Sequence, residues 1–343
     1  MTTAVIERTT SATTARAQAF VAARKPDAEA LGRRVADVVS DPDAFAATLV
    51  EGLRDLSDPE YLDGQRRVAP GIGAIYGVRW PLMAAVNRGF RKATRRERTS
   101  SWLFVADRLL REDHLEPRWF AFGLLERLVA DDPERTWQLI RRAAGDAADW
   151  ITVDSLAHPV ARGVLLEPYR WSELEQLVFS PSRWERRLVG STIATAPHTD
   201  RKLGRRPEIV QHGLALIDQL IGDAEPDVQK ALAWALRTLA QIDTPAVTSW
   251  CRRQAAIAVD NEDGHRAWVV RDSLTKLRAD DATQIRASLV GIRRRPGGSS
   301  TTSSAAAIAA RFGALPDPGH HPQPPLDGPL SGQTIAVSQE PSR

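Results

Sequence analysis

The sequence predicts an all-α protein, a stack of antiparallel helix pairs, and three observations carry that reading. Apolar residues recur at three- and four-residue spacing, as in Glu116 to Val129 and Leu214 to Gly222, which is the period of one helix face. Breaks between such segments fall at Ser57-Asp58-Pro59, Asp131-Asp132-Pro133, Ser180-Pro181-Ser182, Ala224-Glu225-Pro226 and Asp243-Thr244-Pro245. In each, a polar residue stands just before a proline suited to a first helical turn, whose N–H has no intrahelical partner anyway. No alternating apolar/polar run is long enough to build a sheet.

Taken in order, residues 1 to about 20 are Thr/Ala/Ser-rich without an apolar stripe, and a disordered N-terminal tail is expected over 1–25. A short helix is expected from about Pro26 to Val39, and helices then alternate with short breaks from Asp43 onward. The helix starts recur at intervals suited to the paired helices of a HEAT-type solenoid, whose curved stack offers a long concave surface to a rod-shaped ligand. That domain is expected to cover 26–292. From Arg293 to the end (293–343) the chain is rich in Pro, Gly and Ser and is expected to be disordered, with one Ala-rich helical possibility at Ala305 to Phe312.

Composition narrows the function. Of 343 residues, 43% are apolar, enough for a core, and 26% are charged, ordinary for a soluble chain. No apolar run approaches the ~18 residues of a membrane span, and Met1 to Arg8 lacks the basic-then-apolar order of a secretory signal. Cys251 is the only cysteine and the seven histidines are scattered. Neither an internal disulfide nor a metal site is expected, and the compartment reads as reducing and cytoplasmic.

Net charge is only +3, but the cations cluster. Arg88, Arg91, Lys92, Arg95, Arg96 and Arg98 fall in one stretch; Arg183, Arg186 and Arg187 form a second group, and Arg201, Lys202, Arg205 and Arg206 a third. Grouped Lys and Arg are the footprint of phosphate contact, although any one such run is ordinarily a solvated face.

The most informative stretch is Asp149-Trp150-Ile151-Thr152-Val153-Asp154-Ser155. Trp150 and Asp154, four residues apart, share one helix face. Later, Trp234 is flanked by Lys230 and Arg237, at −4 and +3. Aromatic faces, one carboxylate and several guanidiniums suit a target that is part cation and part phosphate polymer, which points to modified DNA. Singly, each residue has a plainer role: a Trp in a helical stack packs in the core, and an Asp or Arg sits on the surface. Trp102, Trp119, Trp137 and Trp268 are assigned to the core, and His158, before Pro159, to a local backbone contact near a helix kink.

Trp150-x-x-x-Asp154-Ser155, Trp184-x-x-Arg187 and Gln229-Lys230-Ala231-x-x-Trp234-x-Leu236-Arg237 occur in this order behind Tyr76-Gly77-Val78-Arg79-Trp80-Pro81. Together they resemble the bacterial DNA alkylation repair family, the AlkD-type HEAT-like-repeat alkylpurine DNA glycosylases, over roughly Ala46 to Arg278. The sequence departs from the family at an aromatic on an early helix, where Val68 stands, with Tyr61 and Tyr76 nearby.

The resemblance implies hydrolysis of the N-glycosidic bond of cationic N3- or N7-alkylated purines in double-stranded DNA, leaving an abasic site without flipping the base. It implies Asp154, Trp150 and Trp234 as catalytic residues. Asp154 faces the oxocarbenium-like sugar and places a water; the two indoles face the cationic lesion. Arg187 is assigned to a phosphate beside the lesion, with Arg183, Arg186, Lys230, Arg237, Arg91, Lys92 and Arg95 as further DNA contacts. No cofactor is expected, and the partner is duplex DNA bound by a monomer. A site that keeps the base stacked also has no wall against bulky adducts. Two other readings compete: a catalytically silent protein that binds distorted or branched DNA, and a helical scaffold for protein partners.

Overall fold

The computed structural model describes residues 11–69, 71–95 and 100–294, together with 303, 305, 307 and 308. Among them are fifteen α-helices: α1 (Ala12–Asp37), α2 (Pro42–Asp55), α3 (Pro59–Val68), α4 (Trp80–Ala93), α5 (Ser100–Leu109), α6 (Leu115–Asp131), α7 (Pro133–Gly145), α8 (Trp150–Leu166), α9 (Trp171–Val178), α10 (Arg183–Thr199), α11 (Pro207–Leu220), α12 (Pro226–Leu239), α13 (Thr244–Asp260), α14 (Gly264–Ser273) and α15 (Ala279–Ser288). No strand occurs among the described residues. The chain is an all-α helical-repeat solenoid, as its sequence predicts.

The helix starts follow from local chemistry. Asp58, Asp132 and Asp243 accept hydrogen bonds from first-turn N–H groups of α3, α7 and α13, with Pro59, Pro133 and Pro245 in the first turns. Pro181 differs. It precedes the N-cap Ser182 and lies outside α10, and Ser180 Oγ accepts from the Ser182 N–H instead.

Helices α4, α6, α8, α10, α12 and α14 pack each on the next, with α1 along α4. A facing row runs through α2, α5 and α7 and is continued by α9, α11, α13 and α15. The apolar stripes meet between the rows. Near the N-terminal end Phe45, Phe90 and Phe120 interlock, Phe45 and Phe90 edge-on at 5.7 Å. Truncating any of these buried rings to Ala costs about 3–5 kcal/mol.

Helix α3 and the loop after it build a second, small apolar cluster of Ala69, Ile72, Ile75, Leu115 and Ile151, against which Leu62, Trp119 and Trp150 pack. The buried Glu116 carboxylate pins this loop by accepting from the N–H groups of Tyr76 (3.0 Å), Gly77 (2.7 Å) and Val78 (3.1 Å). Gly77 has φ of 81°, and a Cβ there would stand 2.7 Å from Leu62 Cβ, so glycine alone fits. The Tyr76-Gly77-Val78 motif is therefore a carboxylate-held loop that fixes the cluster beneath the start of α8.

Both chain ends depart from expectation. The expected N-terminal disorder to residue 25 stops short, because α1 begins at Ala12, capped by Ser11, and Pro26 lies inside it. Phe20 and Val21 pack on the core, while Ala22 and Pro26 are exposed. The carbonyl freed by the proline is then open to water, which makes an internal Pro tolerable. The expected C-terminal disorder from Arg293 also fails at its start, since Arg294 packs over Trp268. Further on, Ser303 Oγ donates to the Gln219 carbonyl at 2.7 Å and Ala305 is buried in the core; residues 305, 307 and 308 are helical. These contacts hold Arg294, Ser303 and Ala305 on the solenoid. Helix α8 continues through Pro159 to Leu166.

Candidate active site

Asp149 starts the site. Its carboxylate accepts from the Thr152 N–H (2.8 Å) and hydroxyl (2.6 Å), which caps α8 and puts Trp150 at its first position. Burial raises the Asp149 carboxyl above the usual range, while the Thr152 bonds and the nearby Arg118 oppose that shift. One turn into α8, the Asp154 carboxylate is gripped from α10. Arg187 Nε donates to Oδ1 at 3.1 Å and Nη2 to Oδ2 at 2.8 Å, while Ser191 Oγ donates to Oδ1 at 2.6 Å. Arg187 Nη1 donates to the Asp227 carbonyl at the start of α12, at 2.6 Å. One guanidinium thus joins three successive helices of the row. Its side chain is 6% exposed, against 21% for Asp154. The carboxylate is the member of the pair that faces outward.

Half-buried Trp150 packs on the small cluster, with the Arg187 guanidinium carbon 5.9 Å from its ring centroid. Trp234 on α12 is also half-buried, two turns beyond Asp227. Trp150, Asp154, Arg187 and the first turn of α12 are therefore joined by direct contacts, and Trp234 lies farther along the same helix.

Several sequence assignments change. Arg187 was expected on a phosphate, yet its fork is turned onto Asp154 and the Asp227 carbonyl. Arg186 was expected on DNA; it is buried, with Nε 2.6 Å from Asp223 Oδ2 and Nη1 bonded to the Ser180 and Pro181 carbonyls. Adjacent helical residues point about 100° apart, so Arg186 and Arg187 cannot serve one face. Arg183 lies over the buried Trp184 ring and 3.7 Å from Glu225, and Arg237 is held by Asp272 at 2.5 Å. Both are drawn partly into the fold. Lys230 is exposed, with only a long 3.9 Å contact to Asp227.

The first basic cluster remains at the surface. Arg91 and Lys92 on the last turn of α4, and Arg95 just after it, are exposed. Arg88 pairs with Glu29 at 3.0 Å, and Arg96 and Arg98 lie outside the described residues. The third cluster, Arg201, Lys202, Arg205 and Arg206, is exposed between α10 and α11.

Sequence reasoning missed three contributors. Ser191 is one turn from Arg187 on α10, and that i,i+4 spacing was a usable signal. The Asp227 carbonyl carries no sequence signal. Trp80, quoted in the loop motif but given no role, is 60% exposed and stands edge-on to half-buried Trp119 at 5.7 Å. Of the early aromatic candidates, Tyr61 lies under Arg79 and Tyr76 stacks on His114, whereas Val68 is exposed at the end of α3. Trp102 and Trp137 are core, as assigned.

A family model described as DNA alkylation repair enzyme matches residues 49–277. The chain belongs to this family. The matched segment contains the whole Trp150–Asp154–Arg187–Ser191 arrangement and Trp234. Comparison with curated proteins found no match. Among the described residues of this family member, no helix is long and apolar enough to cross a membrane.

Proposed function

We propose that this protein is a DNA glycosylase that hydrolyses the N-glycosidic bond of N3- or N7-alkylated purines in duplex DNA. The observation that carries the reading is a partly exposed carboxylate, Asp154, whose orientation is fixed by Arg187 and Ser191. An alkylated purine is cationic, so the C1′–N bond breaks with its electron pair going to the purine, which leaves neutral. The positive charge then sits on the sugar as an oxocarbenium ion. A carboxylate already aimed at that charge needs no reorganisation when it forms, the condition under which electrostatic stabilisation is largest. Water adds to C1′, its proton passes to Asp154 or to solvent, and an abasic site remains.

Trp150 and Trp234 offer π faces to the lesion nucleotide, each worth about 0.5–2 kcal/mol toward a cation. Arg187 acts through Asp154 as a positioning residue. Phosphate contact is assigned to the exposed cations Arg91, Lys92, Arg95 and Lys230. A partly exposed carboxylate on an open helical row, rather than at the bottom of a pocket, favours attack on a stacked base.

Duplex DNA containing 7-methylguanine, incubated with the wild-type and Asp154→Asn proteins, tests the reading by mass spectrometry of the freed base. Release by wild type that is lost in the variant is expected. Equal release by both removes Asp154 from the mechanism. No release from methylated or bulky-adduct duplexes, with salt-sensitive binding intact, replaces this reading with a silent DNA binder.

A further inference from the structure

Beyond α15 the chain turns back on the solenoid and closes a second site. Arg271 on α14 donates to the Leu289 carbonyl at 3.1 Å and the Ile292 carbonyl at 2.9 Å, drawing the segment 289–294 against α14. The segment passes so close to the start of α14 that a Cβ on Gly264 would lie 2.2 Å from the Arg293 carbonyl carbon and oxygen. Arg294 then sits 5.1 Å from the Trp268 ring centroid and donates from Nη1 to Gln229 Oε1 at 3.1 Å.

The result is an open cavity of about 470 Å³, lined by the Trp268 ring and by Arg271, Arg286, Arg293 and Arg294, with no carboxylate among the described residues of its wall. Burial, followed by the neighbouring Arg293 and Arg294, lowers the Arg271 pKa, and no carboxylate offsets them. Four guanidiniums thus line one space, and an anion entering it relieves their mutual repulsion.

The place of the cavity favours a nucleic-acid phosphate over a free ion. Trp268 is one turn before Asp272, which holds Arg237 of α12, itself three residues from Trp234. The cavity thus continues the helix row that carries Trp150, Asp154 and Trp234. Arg286, Arg293 and Arg294 lie beyond the family-matched segment.

We propose that this arginine-lined cavity binds a backbone phosphodiester of duplex DNA, extending the footprint past the lesion toward the C-terminal end of the solenoid. The inference rests on duplex DNA being the substrate, as proposed above, but not on any chemistry at Asp154.

The test uses the full chain, an undamaged fluorescein-labelled duplex and a NaCl series read by anisotropy, so an inactive enzyme does not disturb it. Arg286→Ala/Arg293→Ala removes two lining arginines whose side chains make no hydrogen bond among the described residues. Each lost phosphate contact makes log K against log[salt] shallower by about 0.9. A slope reduced by about 1–2, with at least a several-fold loss of affinity at low salt, is expected. Wild-type affinity and slope in the variant overturn the proposal. Val290→Glu, which adds a negative charge at an 80% exposed wall position, is expected to weaken duplex binding without removing any contact, and it decides the question if the double variant does not fold. Calorimetry with inorganic phosphate separates the sources: phosphate binding lost in the double variant with an unchanged duplex slope overturns the duplex assignment.

Discussion

Arg187 on α10 holds both carboxylate oxygens of Asp154 on α8, through donor distances of 3.1 and 2.8 Å. A lysine ammonium cannot reproduce that planar two-point grip. Arg187→Lys is therefore expected to lower the rate of base release while leaving duplex affinity close to wild type. Arg187→Ala also strands the Asp227 carbonyl and is expected to cost about 1–3 kcal/mol of stability, read by denaturant unfolding. Duplex affinity falling in step with release would return Arg187 to phosphate binding.

Asp154→Asn keeps the shape and removes the charge. Loss of one preorganised electrostatic group typically costs about 10²–10³ in rate, and that loss is expected in single-turnover release of 7-methylguanine. Stability is expected to change far less than activity.

Ser191→Ala deletes the third bond to Asp154. The hydroxyl bonds a carboxylate, and a hydrogen bond to a charged group contributes about 1.5–3 kcal/mol, so release roughly 10- to 100-fold slower is expected, with a smaller change in unfolding midpoint.

Glu116→Gln tests the loop beneath the site. The carboxylate accepts three backbone N–H bonds, and an amide offers one acceptor oxygen in their place. Destabilisation of about 1–3 kcal/mol is expected. Faster proteolysis between Ala69 and Arg79 would report the loosened loop.

His265 gives a pH dependence of known sign. Its Nδ1 lies 2.9 Å from Gln229 Nε2, a pairing that needs the neutral ring to accept. Burial lowers its pKa below the usual 6.5, Arg294 adds to the lowering, and Asp263 and Asp223 oppose it. A folded pKa below the unfolded one contributes stability that is present above about pH 6.5 and lost as pH falls through the folded value. The thermal midpoint is expected to drop on acidification below that pH, and to drop less in His265→Gln. Parallel profiles for the two proteins would exclude the histidine.

Much of the fold was legible because helix formation is decided locally. The spacing of apolar residues and the Asp58-Pro59, Asp132-Pro133 and Thr244-Pro245 starts act within one or two turns, and the helices begin where they say. The pairing of Trp150 with Asp154 on one face was legible for the same reason. The partners were not. Arg183, Arg186 and Arg187 look alike in the sequence, and only packing turns one to Trp184 and Glu225, one to Asp223 and one to Asp154.

The ends of the chain show the same division. Composition alone assigned residues 1–25 and the chain from Arg293 to disorder, because neither buries a core of its own. Yet α1 is fixed by α4 alongside it, and Arg294 by Trp268 and Gln229. The sequence by itself determined that this protein is helical, where most helices start, and that an aromatic and a carboxylate share a face. Only the tertiary structure decided which arginine meets that carboxylate, and which cations stay exposed. Helical periodicity fixes directions around one axis, whereas a charge finds its partner across helices that lie 33 residues apart in the chain.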